Sequence, residues 1–152
     1  MRRAVIDDLP DIIALLANDE LGSARENPSD PPDPRYVGAF HAIDADSNQI
    51  LAVLVDRTDG AAEAVIGCLQ LSFIPGLSRL GSWRGQIESV RVSGSRRGEG
   101  LGRIMFDWAI ETCRQRGCSL VQLTTDRRRP EARRFYEGLG FVASHDGMKL
   151  TL

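Results

Sequence analysis

The chain has 152 residues, of which 42% are hydrophobic and 26% charged, and its formal net charge is −2. That length reads as one domain over residues 1–152, with enough chain to bury a true core. So small a charge supplies no global field for nucleic acid or an anionic membrane surface, and no apolar run reaches membrane-spanning length.

Residues 2–6 read as a short first strand. Asp7-Asp8-Leu9-Pro10 then combines a cap with a proline in the first turn of a helix whose apolar face is Ile12, Ile13, Leu15 and Leu16. Residues 22–34 hold Gly22, Pro28, Pro31, Pro32 and Pro34 and read as a loop. Asp33-Pro34 starts a second helix, with Tyr36, Val37, Phe40 and Ile43 at helical spacing. From residue 50 the pattern changes. Strands are predicted over 50–56 and 64–74, joined by a turn over 56–60 and therefore antiparallel. Residues 75–85 carry Pro75, Gly76, Gly81 and Gly85 and read as a long loop bearing Trp83, either ordinary surface or, with loop 22–34, the border of a binding cleft.

A strand over 86–92 follows. Leu101, Ile104, Met105, Trp108, Ala109 and Cys113 form one stripe of a helix over 101–116, with Gly117 as its stop. A strand over 119–125 completes a β-α-β unit, hence a parallel pair. Pro130 opens a last helix with Ala132, Phe135, Tyr136 and Leu139 as its stripe, and Gly140 ends it. Segments 141–144 and 148–152 flank Asp146-Gly147 and predict a C-terminal hairpin, whose exposed edges suggest a homodimer. Cys68, Cys113 and Cys118 are odd in number and lack ligand spacing, so neither a disulfide framework nor a metal site is expected. With no signal-peptide pattern at the N-terminus, a cytoplasmic location is the expectation.

Residues 97–102 read Arg97-Gly98-Glu99-Gly100-Leu101-Gly102. Glycines at a strand-to-helix junction let the backbone approach a ligand. The helix N-terminus behind them presents unpaired N–H groups and a partial positive charge. The combination is an anion cradle suited to a phosphate or pyrophosphate. A P-loop would need Gly-Lys-Ser/Thr, which is missing. A dinucleotide fingerprint would need its third glycine at Arg103 and would follow the first strand of its domain.

The observed Arg-Gly-x-Gly-x-Gly resembles motif A of the GNAT superfamily of acyl-CoA-dependent N-acyltransferases, Gln/Arg-x-x-Gly-x-Gly/Ala, with Arg97, Gly100 and Gly102 in the matching places. The flanking strands and helix, the later Ala132-x-x-Phe135-Tyr136-x-x-x-Gly140-Phe141 and the N-terminal Asp8-Leu9-Pro10 helix resemble the same family in order. The resemblance implies an α/β (α+β) fold: a mixed, mostly antiparallel sheet, splayed between its fourth and fifth strands, with helices on both faces and acyl-CoA in the gap. Splaying would free backbone groups of strand 86–92. The edge at Val90, Arg91 and Val92 is therefore assigned to the cofactor, with Val90 and Val92 main-chain groups pairing with pantetheine amides. The backbone of Gly98, Glu99, Gly100, Leu101, Gly102 and Arg103 is assigned to the pyrophosphate, with the Arg97 guanidinium beside it.

Two residues are assigned to chemistry. In the resembling family the tyrosine at Tyr136 sits by the CoA sulfur and can protonate the leaving thiolate. A phenol with a pKa near 10 keeps that proton at neutral pH. Glu88 reads either as an exposed strand carboxylate, paired with Arg91, or as the general base for an acceptor ammonium. Arg129 stands where many family members carry an asparagine that contacts the cofactor, so that contact is not transferred. Arg127, Arg128 and Arg129 crowd a helix N-terminus, which an anionic partner would relieve. The implied activity is acetyl transfer from acetyl-CoA to a primary amine of a small molecule or protein by direct attack in a ternary complex, without a metal. The other reading is a non-catalytic acyl-CoA-binding sensor or interaction module, which would need neither Glu88 nor Tyr136.

Overall fold

The structure, a computed structural model, describes residues 1–18, 25–57 and 63–152. Parts of the predicted loop 22–34 and turn 56–60 lie outside these residues. The centre of the fold is an antiparallel pair, β2 (Gln49–Asp56) and β3 (Ala64–Pro75), with Ala52 opposite Leu69 and Val53 opposite Cys68. β1 (Arg2–Arg3) joins β2, and β4 (Trp83–Val92) joins β3, both antiparallel. β5 (Cys118–Leu123) lies parallel to β4 at the other edge of the sheet. The predicted β-α-β crossover is present, carried by α4 (Leu101–Gln115).

β2 and β3 read as apolar runs because both of their faces are covered. Ala52, Leu54, Leu69, Leu71 and Phe73 face α4, which contributes Met105, Phe106, Ala109 and Cys113. Val53 and Cys68 face the other way, onto α1 (Leu9–Ala17) and α2 (Pro34–Ala45), where Ile12, Ile13, Leu15 and Phe40 are buried. α5 (Pro130–Gly138) sends Tyr136 to the α4 side. There it packs with Phe106 and Phe141 at ring separations of 5.3 and 6.3 Å.

Several sequence expectations are corrected. Trp83 is not on the loop: it opens β4, paired with Pro75 and Cys118, and packs against the α4-side core. Gly85, taken as a loop residue, is a buried strand residue, because a Cβ there would lie 2.3 Å from Cys113 Sγ. The connection from β3 to β4 is thereby short and turns through α3 (Ser78–Gly81), a single left-handed turn with Arg79 and Leu80 at φ 55° and 59°. The first strand is two residues long, and β5 stops at Leu123 rather than 125. No strand forms over 141–152. Only Phe141 is drawn into the core there, while Val142, Met148, Leu150 and Leu152 are exposed.

The N-terminal elements are locked by one ion pair. Asp8 is buried, and its two oxygens accept from the Arg2 guanidinium at 2.6 and 2.8 Å. The Val5 N–H donates to the same carboxylate at 2.8 Å. The Arg2 hydrogen bonds hold the Asp8 pKa below the usual carboxylate value; burial opposes this and the Val5 N–H adds to it. Replacing Asp8 by Asn is expected to cost about 2 kcal/mol of stability at neutral pH, read by urea unfolding. The folded pKa lies below the unfolded one, near 4. The pair therefore contributes fully above that pH and is lost as pH falls through the folded value. Below about pH 4 the parent protein should lose stability faster than Asp8→Asn does.

Candidate functional site

The β4–β5 ladder runs from Trp83 opposite Cys118 to Ile87 opposite Leu123 and ends there. β4 continues for five further residues, Glu88 to Val92, still paired with β3 on its other side. The two strands part at this point. Along 88–92 every other main-chain N–H and C=O faces a gap that no described strand fills. Such groups require a partner. The expected splay between the fourth and fifth strands falls where this ladder ends.

A bulge stands at the same place. The β3–β4 register steps from Cys68 opposite Arg91 to Gln70 opposite Glu88, so Leu69 alone spans Ser89 and Val90. Ser89 takes φ 54°, in the left-handed region that a residue with a side chain rarely adopts. The Cys68 thiol donates to its carbonyl at 3.7 Å. The extra residue turns Val90 and Val92 to the α4 side, where they pack against that core. Glu88 is exposed and shares a sheet face with its cross-strand partner Gln70. The Val90 carbonyl, one of the groups assigned to pantetheine, accepts from the Arg91 Nη1 at 2.8 Å.

The chain then leaves β4 through a one-turn 3-10 helix (Gly94–Arg96) and enters the glycine loop. Arg96 braces this loop. Its Nη1 meets Asp56 at 2.6 Å, and its Nε meets Glu99 at 2.7 Å. The Glu99 carboxylate is thereby committed to Arg96, leaving only its main chain for a ligand. Arg97 is exposed and, among the described residues, makes no ion pair. Gly98 and Gly100 have φ 88° and 75°, and a Cβ on either would meet nothing within 4 Å. Both are glycine for backbone conformation and open onto free space.

Gly102 differs. It is helical, and a Cβ there would come within 3.4 Å of Phe135, so it fits α4 against α5. Gly100 caps α4, and its carbonyl accepts from Arg103 and Ile104 at 3.0 and 3.3 Å. Helix geometry leaves the Leu101 and Gly102 N–H groups without an intrahelical acceptor. The Arg103 side chain is tied to Asp107 at 3.0 Å.

Tyr136 is half-buried. Burial pushes its phenol pKa up, and the nearby charges of Arg129 and Arg91 oppose the shift. The arginine run is less starved of anions than the sequence suggested. Arg128 pairs with Asp126 at 2.8 Å and Arg127 with Asp146 at 3.2 Å. Sequence reasoning missed the Ser89 bulge, the Arg96 brace and a cavity beneath α1 and α2. Serine carries no signal for a left-handed residue, and the brace joins positions 40 residues apart. Among the described residues no cluster of His, Cys, Asp or Glu could hold a metal ion, and no helix is long and apolar enough to cross a membrane.

The chain folds as a mixed α/β domain whose fourth strand has a free edge leading into a glycine-led helix N-terminus. The chain matches the acetyltransferase (GNAT) family model over residues 14–141 and belongs to that family. A solved structure described as a transcriptional regulator from Bacillus halodurans C-125 superposes with TM-score 0.93 at 45% identity, covering 99% of this chain and 97% of that one. An acetyltransferase of Trypanosoma brucei superposes with TM-score 0.77 at 27% identity, covering 99% and 97%. Among curated proteins, the aminoalkylphosphonate N-acetyltransferase of Salmonella typhimurium is 38% identical over 64 residues, which are 42% of each protein. The chain thus spans about half the length of the curated relatives it matches, 42 to 58%.

Ser89 supplies a test of the bulge. Ser89→Gly relieves the left-handed strain and is expected to raise stability by about 1 kcal/mol in urea unfolding. A loss of stability instead would show that the serine side chain, not the bend, holds this segment.

Proposed function

We propose that this chain transfers an acetyl group from acetyl-CoA, the family's donor, to a primary amine by direct attack in a ternary complex. The observation that carries this reading is the free edge of β4 beyond Ile87, running into the glycine loop. The main-chain groups of Val90, Arg91 and Val92 hold the two amides of pantetheine as a strand would. For this the Arg91 guanidinium must release the Val90 carbonyl or bond it alongside the ligand. The N–H groups of residues 98–103, at the positive end of α4, hold the pyrophosphate, and Arg97 adds its charge.

The chemistry is assigned to Glu88 of β4 and Tyr136 of α5. A nitrogen–carbon bond forms to the acetyl carbonyl as the carbon–sulfur bond breaks. Glu88 takes the proton that the nitrogen gives up, and Tyr136 gives one to the departing sulfur. The raised pKa of Tyr136 keeps its hydroxyl protonated and ready to donate at neutral pH. A covalent acetyl-enzyme is disfavoured, because burial pushes the Cys68 and Cys113 thiols up to about 12.

The second reading, a non-catalytic acyl-CoA-binding module, is favoured by the 45% identity to a protein described as a transcriptional regulator. Thiol release from acetyl-CoA with a panel of amines separates the two. Tyr136→Phe is expected to lower kcat about 100-fold while CoA affinity by isothermal titration stays within about twofold. Gly100→Ala should show the reverse weighting, weakening CoA binding through the lost backbone approach. Tight CoA binding with no thiol release from any amine would establish the binding-module reading instead.

A further inference from the structure

A cavity of about 150 Å³ lies between α1, α2 and the face of the sheet opposite α4. Its walls are Ile12 and Leu16 of α1 and Ala39 and Phe40 of α2; its floor includes Cys68, Gln70 and Ser89. Among the described residues no charged side chain lines it, and its polar groups are confined to Tyr36, Gln70 and Ser89. The floor thus includes the β4 bulge beside two residues of β3. Gln70 is the cross-strand partner of Glu88, so the assigned base stands on the same face as the cavity floor, one residue from Ser89. A molecule with its nitrogen at Glu88 would direct its remaining atoms into this space.

We propose that the acceptor is a small free amine bearing a benzene-sized or branched aliphatic group, which fills this cavity while the nitrogen stays at the bulge. The inference rests on the acetyl-transfer reading and adds the class of acceptor. An apolar chamber of this volume and lining takes up a benzene-sized guest. Its described lining offers no cation to a phosphate or phosphonate and no anion to a second ammonium, and a charge placed against that lining would lose its hydration without return. The chamber selects by shape and apolar burial, and the polar demand of the acceptor is limited to its single reacting nitrogen. This sets the chain apart from the Salmonella typhimurium relative, whose name specifies a phosphonate-bearing amine. Tyr36 bounds the chamber, and its hydroxyl is already engaged, donating to Glu26 at 2.7 Å and accepting from the Asn27 N–H at 3.0 Å.

The test is thiol release from acetyl-CoA with 2-phenylethylamine, 3-methylbutylamine, spermidine and 2-aminoethylphosphonate. The two apolar amines are expected to exceed the other two in kcat/KM by at least about tenfold. Ala39→Trp, which projects an indole toward the chamber from an exposed helix position, should raise KM for 2-phenylethylamine by a similar factor and leave KM for acetyl-CoA unchanged. Equal or better use of spermidine or 2-aminoethylphosphonate overturns the proposal and leaves acetyl transfer standing. If no amine releases thiol, the acetyl-transfer reading itself fails. Isothermal titration of 2-phenylethylamine into the CoA-loaded protein and into Ala39→Trp then decides the cavity: binding lost in the variant supports it, and no binding to the parent protein overturns it.

Discussion

β4 is longer than the strand it pairs with on one side, and the rest of the site is arranged around that mismatch. Its first half is an ordinary interior strand, hydrogen-bonded to β3 and β5. Its second half keeps β3 but has lost β5, and a strand edge inside a folded domain is a standing demand for partners. The bulge at Ser89 falls immediately after the last β4–β5 pair, where the sheet no longer needs a regular pleat on both sides. The strain of a left-handed serine is carried by its neighbours: Val90 and Val92 remain packed in the α4-side core, and Cys68 donates to the Ser89 carbonyl.

α4 then fixes where the anion cradle lies. Met105, Phe106, Ala109 and Cys113 are wholly or almost wholly buried against the same sheet, so the helix cannot shift along it without opening the core. Its first turn, and the glycines before it, are held at the end of the free half of β4. The Arg96 links to Asp56 and Glu99 tie the loop back to the end of β2. They also commit one arginine and one glutamate to each other, which leaves Arg97 as an exposed loop cation with no ion pair among the described residues.

The sequence was most legible where a backbone rule operates. The stripe from Leu101 to Cys113, the β-α-β crossover, Pro130 at a helix start and the glycine loop all followed from periodicity, capping and turn chemistry. It was least legible where distant side chains decide. Gly85 looked like a loop residue because glycine usually interrupts strands, yet it is the close approach of Cys113 from α4 that requires it. Trp83 looked exposed for want of any sign that Pro75 would pair with it. The C-terminal segment has alternating apolar residues and an Asp-Gly turn signal, but only Phe141 reaches the aromatic cluster, and alternation alone did not make strands. Arg127 and Arg128 looked unbalanced because their acidic partners had not been paired with them from the sequence.

The two halves of the site therefore use different kinds of group. The half proposed for the carrier is mostly main chain: strand-edge amides, loop amides and a helix terminus, for which the sequence needs only a glycine pattern, a strand and an amphipathic helix in order. That is why the family could be read from residues 86–141. The half proposed for the acceptor is side chain: an apolar chamber assembled from α1, α2 and three strands, whose lining residues are each ordinary core residues in their own element. Ile12 and Phe40 carry no mark that separates lining a chamber from filling a core. The distinction arises only when two helices, each packed on the sheet by its own stripe, fail to close completely over the bulge at Ser89. On the proposal of an apolar acceptor, selectivity follows from how those helices sit rather than from any motif within them.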